Sequence, residues 1–152
     1  MSPEQKALVK ETWLKVAPIA DAATRLFYDR LFEIDVTTRP LFKTTDLTEQ
    51  RRKLIQALTM VVQGLDHLEA LVPAIADLGQ RHAQFGVTDA HYDAVGAALL
   101  WTLEQGLGSG WTPEVKIAWS SAYAQLADVM RGAAGESAST PIKSGAMSGL
   151  SP

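Results

Sequence analysis

Apolar side chains recur every three or four residues along almost all of the first 131 positions, and the alternation that marks a half-buried strand is missing. A chain patterned this way buries its apolar stripes only by packing helix on helix, so the spacing predicts an all-α fold. Six helical segments can be read from it. The first opens at Ser2-Pro3-Glu4-Gln5, a capping box with proline at the first helical position, and sets Leu8, Thr12 and Val16 one turn apart before Ala17-Pro18 interrupts it. The second, about 19–34, carries Ile19, Ala23, Leu26, Phe27 and Leu31 inward with Tyr28 beside that stripe, and residues 37–45, with Pro40, form a corner. Asp46-Leu47-Thr48-Glu49 is a second capping box. It starts a helix to about Leu65 with Leu54, Leu58 and Val61 on one face and Gln50 one turn before Leu54. The fourth segment, about 69–84, spaces Leu71, Ile75, Leu78 and His82 along one stripe. The fifth, about 89–107, uses Tyr92, Val95, Leu99 and Leu103 and ends in the glycines between Gly106 and Gly110. The sixth starts at Thr112-Pro113 and repeats Val115, Trp119, Ala122, Leu126 and Val129.

The helical pattern stops at Arg131, and eleven of the 21 residues from Gly132 to Pro152 are Gly, Ser or Pro. The reading divides the chain into a helical domain, 1–131, and a Gly/Ser/Pro-rich C-terminal tail, 132–152, expected to be flexible.

Composition then narrows the chemistry. With no cysteine, the chain has no disulfide, no thiolate-ligated iron, no thioether-tethered haem and no cysteine nucleophile, which leaves three histidines and the carboxylates to hold any metal. A formal charge of −3, with no basic run beyond Arg51-Arg52-Lys53, argues against nucleic acid as a partner. No apolar stretch reaches the roughly 18 residues of a membrane span, and the N-terminus lacks a basic-then-apolar leader, so the expectation is a soluble, cytoplasmic protein.

Of the three histidines only His82 ends an apolar stripe. His67 follows Gly64-Leu65-Asp66 in a loop, and His91 stands at a helix start. By spacing alone, a histidine so placed is more often a satisfied core or edge residue than a ligand. One protein ligand is too few for bare zinc or non-haem iron, yet enough for haem, whose ring nitrogens supply four more.

Five segments in order carry a family resemblance: Leu26-Phe27-Tyr28-Asp29-Arg30-Leu31-Phe32; Pro40-Leu41-Phe42; Gln50-Arg51-Arg52-Lys53-Leu54; Leu78-Gly79-Gln80-Arg81-His82 with Phe85-Gly86-Val87 and His91-Tyr92; and Ala118-Trp119 to Tyr123. The chain resembles a bacterial single-domain globin, close to the haem domain of flavohaemoglobins and similar to neuroglobin-like bacterial globins, over residues 3 to about 131. The resemblance implies the globin fold around non-covalent haem b with His82 as the proximal iron ligand. It implies Phe42 stacked on the haem, Tyr28 and Gln50 donating hydrogen bonds to bound gas, Leu54 excluding water, and Tyr92 orienting the proximal imidazole. It further implies Leu78, Val87 and Val95 in the pocket wall and Lys53 or Arg81 paired with the propionates. No histidine shares a helix with Gln50, so haem held by a histidine on each side is not expected.

The chain departs from the flavohaemoglobin pattern at one place. Ala134 stands where that family has a glutamate late in the last helix, so a strongly anionic proximal side is not implied. The implied function is reversible binding of O2 and other diatomic gases such as NO and CO at a five-coordinate or weakly six-coordinate iron. Nitric oxide dioxygenation is a second expectation, and it needs a separate reductase because the tail has no room for flavin- or nicotinamide-binding domains. A reading of another class is a cofactor-poor helical sensor or interaction module.

Overall fold

Helix starts follow the side chains that satisfy the first free N–H groups. The computed structural model describes residues 1–139, with side-chain surroundings as far as Ala133. It contains α1 (Pro3–Val16), α2 (Ala20–Ile34), α3 (Leu47–Gln63), α4 (Leu68–Gln84), α5 (Asp89–Leu107) and α6 (Pro113–Ser139). Among the described residues there is no strand. At α1 the capping box forms in full: Ser2 Oγ accepts from the Gln5 N–H at 3.1 Å and Gln5 Oε1 accepts from the Ser2 N–H at 3.0 Å. At α3 only half of the expected box forms. Asp46 Oδ1 accepts from the N–H groups of Thr48 and Glu49, whereas the Glu49 carboxylate pairs with Arg52 one turn on. Thr112 Oγ1 caps α6 through the Val115 N–H at 3.2 Å.

The corner that carries Phe42 is a 3-10 turn, Val36–Phe42. Gly108 ends α5 at φ +54°, a conformation that a Cβ disfavours. The composition break at Arg131 does not end the last helix. α6 continues to Ser139 and buries Ala133, because alanines in Gly132-Ala133-Ala134-Gly135 extend a helix already nucleated. The rest of the expected tail, 140–152, lies outside the described residues. No helix among the described residues is long and apolar enough to cross a membrane.

Packing runs α4 on α6, α2 on α5 and α1 on α6, while α3 rests mainly on α2 and α1. Trp13 and Trp119 join α1 to α6 with ring centroids 6.2 Å apart, and the Trp119 indole N–H donates to Thr12 Oγ1 at 2.8 Å in the buried core. Replacing Thr12 by valine keeps the shape and strands that N–H. We expect a loss of about 1–3 kcal/mol in denaturant unfolding. α3 makes no extensive contact with α4 or α5. The gap between them is the site.

Candidate functional site

Two adjoining cavities of about 150 and 110 Å³ fill this gap, and Phe42, Leu54, Leu78, His82 and Val95 line both. Their apolar walls explain why Leu54, Leu58, Leu78 and Val95 are only half-buried in a helical core: they face open space rather than a packed neighbour.

α4 delivers His82 to this space at the end of its apolar stripe. His82 Nδ1 lies 2.7 Å from the Leu78 carbonyl. A carbonyl oxygen can only accept, so Nδ1 carries the proton and Nε2 keeps its lone pair. Burial holds the imidazole pKa below its usual value, with the bond to Leu78 acting in the opposite direction. The ring is therefore neutral and tautomer-locked, the form in which histidine binds a metal.

α2 and α3 bring Tyr28 and Gln50 to the smaller cavity, together with Lys53. Tyr28 is held by aromatic edges, with Phe27 at 4.9 Å and Phe42 at 5.5 Å between ring centroids. Burial pushes its phenol up to about 12, while a hydrogen bond from the Gln50 amide and the Arg51 charge pull it back. Tyr28 is thus a neutral donor at any ordinary pH. A phenol whose pKa is about 12 folded and about 10 unfolded binds its proton more tightly in the fold. The stability it contributes is present below pH 10 and is lost as pH rises through 12. Between those values the haem-free chain should lose up to about 2–3 kcal/mol relative to Tyr28→Phe in paired urea titrations.

Tyr92 lines the larger cavity with Val87, its ring stacked near His82 at a centroid distance of 6.5 Å and 28° between planes. Arg81 is used elsewhere. It pairs with Asp77 at 2.7 Å along α4 and lines neither cavity. The expected residues Tyr28, Phe42, Gln50, Lys53, Leu54, Leu78, His82, Val87, Tyr92 and Val95 all meet at this gap.

Sequence reasoning missed the part played by His91. Its Nδ1 accepts the Thr88 N–H at 3.0 Å, so its Nε2–H donates to Thr37 Oγ1 at 2.8 Å, and Thr37 in turn donates to Asp35. This chain of bonds fastens the Phe42 corner to the start of α5. Its partners are 54 residues apart. Phe27 and Leu31 were legible as core residues but not as cavity wall.

The fold is a set of packed helices around an apolar pocket, and the globin family model, that of a class of haem proteins, matches residues 25–130. The chain belongs to the globin family. It is similar to the flavohemoprotein of Bordetella parapertussis, 34% identical over 134 residues, 87% of this chain and 33% of that protein. The flavohemoprotein of Rhodopirellula baltica is 33% identical over 147 residues, 93% of this chain and 36% of that one. That of Bacillus subtilis is 29% identical over 127 residues, 82% and 32% respectively. The chain spans about a third of the length of these curated relatives.

The residues present fit haem. The pocket offers one imidazole that keeps a lone pair, at His82, since both ring nitrogens of the lining His91 are hydrogen-bonded, with apolar walls, an aromatic face at Phe42 and the polar side chains of Tyr28, Gln50 and Lys53 in the smaller cavity. Among the described residues no three histidine or carboxylate side chains converge as a cage for a bare ion.

Proposed function

We propose that this chain binds haem b non-covalently through His82 and reversibly binds O2 and other diatomic gases such as NO and CO in the cavity lined by Tyr28 and Gln50. The observation that carries this reading is a cavity system lined by a tautomer-locked imidazole and by a hydrogen-bonded phenol–amide pair. Haem, when bound, supplies a ferrous iron with one coordination position for His82 and one for a gas molecule. The chain's own residues do the rest. His82 offers Nε2 while Leu78 holds its other nitrogen. Leu54 and Phe42 keep water out. The Gln50 amide donates to the Tyr28 oxygen, leaving the phenol O–H to donate to an acceptor in the cavity. Lys53, at the wall of the smaller cavity, is suited to meet a propionate.

The likeness to flavohemoproteins supports a second activity at the same site, oxidation of NO to nitrate by O2. Conversion of NO and O2 to nitrate takes up one electron per turnover, so this reading includes a reductase as electron donor.

Visible spectra of the purified protein in its ferric, ferrous and CO-treated forms test the proposal. A red protein whose Soret band shifts on CO addition is expected, and His82→Leu should lose the band. A chain that stays colourless after haem addition is instead an interaction module.

A further inference from the structure

Tyr92 makes two contacts that gas binding does not require. The Arg131 guanidinium carbon lies 5.2 Å from the centre of its ring, and the His82 imidazole stacks alongside. We propose that Arg131 is a positioning residue for the proximal histidine, acting through the ring of Tyr92 rather than its hydroxyl. This inference rests on the reading of His82 as haem ligand.

Among the described residues the His82 ring makes one hydrogen bond, from Nδ1 to a carbonyl of its own helix. That bond fixes the direction of Nδ1 but lets the ring pivot about the N–H···O line. A flat neighbour stops the pivot, and Tyr92 is the aromatic ring stacked there. The orientation of Tyr92 must then be fixed by something other than its own polar end, since its buried hydroxyl has no hydrogen-bond partner among the described residues. Tyr123 donates to the Tyr92 backbone carbonyl at 2.7 Å, which anchors the main chain, so tilt of the buried ring is opposed by its packing with Ile75, Ala127 and Met130 and by what meets its face.

Arg131 is well placed to stop that tilt. Its Nη2 reaches the Asp93 carboxylate at 3.0 Å and the Asp89 carbonyl at 3.4 Å, and its Nε lies 3.7 Å from the Asp89 carboxylate. A planar guanidinium tethered on two sides holds its cation–π contact with little further loss of side-chain freedom. The chain of contact runs from the start of α5, through a side chain of α6, to a ring of α5 and on to the ligand on α4.

The test uses the full-length holoprotein and two readouts: the iron–histidine stretching band of the ferrous, gas-free form, and the rate of haem transfer to a haem-free acceptor globin. Arg131→Ala should lower and broaden the band and speed haem loss about three- to tenfold. Arg131→Lys, which keeps the cation, should fall between Arg131→Ala and the parent protein. Tyr92→Phe, which keeps the ring, should retain the parent band, and Tyr92→Leu should reproduce or exceed the Arg131→Ala effect. Because both residues act in one chain, adding Arg131→Ala to Tyr92→Leu should change nothing further. An unchanged band in Arg131→Ala overturns the proposal, as do additive effects in the double variant or a Tyr92→Phe band equal to that of Tyr92→Leu. A parent protein with no Soret band overturns the haem reading and this inference with it. A normal Soret band with an indifferent Arg131 overturns this inference alone.

Discussion

Tyr28→Phe is expected to release O2 about ten- to a hundredfold faster than the parent protein. A hydrogen bond to a charged acceptor contributes about 1.5–3 kcal/mol, and each ~1.4 kcal/mol is a factor of ten in dissociation. On the proposed reading, O2 held at a haem iron would draw electron density and be such an acceptor. Tyr28 is the neutral phenol available to it, kept protonated by burial and polarised by the Gln50 amide. Phenylalanine preserves the packing against Phe27 and Phe42, so the change removes the donor with little disturbance of the wall. Gln50→Leu should give a smaller acceleration, because it removes the group that orients the phenol. Stopped-flow displacement of O2 by CO measures both. An unchanged rate in a haem-loaded Tyr28→Phe protein removes Tyr28 from the gas site.

Gly79→Ala should destabilise the fold by about 2 kcal/mol or more. A Cβ at Gly79 would lie 2.5 Å from the Met130 carbonyl oxygen and 2.6 Å from the Met130 Cα. Both are backbone atoms, so no side-chain rotation relieves the clash and α4 must move off α6, its most extensive partner. A clash this close with backbone falls at or beyond the upper end of the usual overpacking cost of about 1–3 kcal/mol, so about 2 kcal/mol remains after the roughly 1 kcal/mol that alanine gains in helix propensity. A fall of about 4–8 °C in melting temperature is the expected reading for a chain of this size. Because α4 also carries Leu78 and His82, the same variant should lose haem faster. Gly132, on α6, is the control: among the described residues nothing lies within 4 Å of where its Cβ would stand, so Gly132→Ala should be neutral or stabilising. Equal effects at the two glycines would count against the close approach.

Much of the site could be read from the chain because haem-type pockets take one residue from each of several helices at fixed helical phase. His82 ends a stripe with Leu71, Ile75 and Leu78, and Gln50 lies one turn before Leu54; both relations are local and survive into the structure. Charged side chains were less legible. Arg81 and Lys53 look alike as basic residues next to site positions, yet Arg81 pairs with Asp77 while Lys53 lines the cavity. The α3 cap shows the same limit, since Glu49 had two partners within reach and took Arg52. His91 carried no signal at all, because the Thr37 hydroxyl that completes its bonding is distant in sequence.

By itself the sequence determined that the chain is helical, where its helices start, that no sulfur ligand from cysteine exists and that one histidine ends an apolar stripe. These follow from periodicity, capping and composition, which act within a few residues. Tertiary structure alone decided that α3 stands off α4 and α5 to leave a cavity, that the Met130 backbone presses on Gly79, and that Arg131 lies over the ring beside His82. Those outcomes depend on how closely helices distant in the chain approach one another. That approach is set by the summed packing of all their faces, which no single stretch of sequence contains.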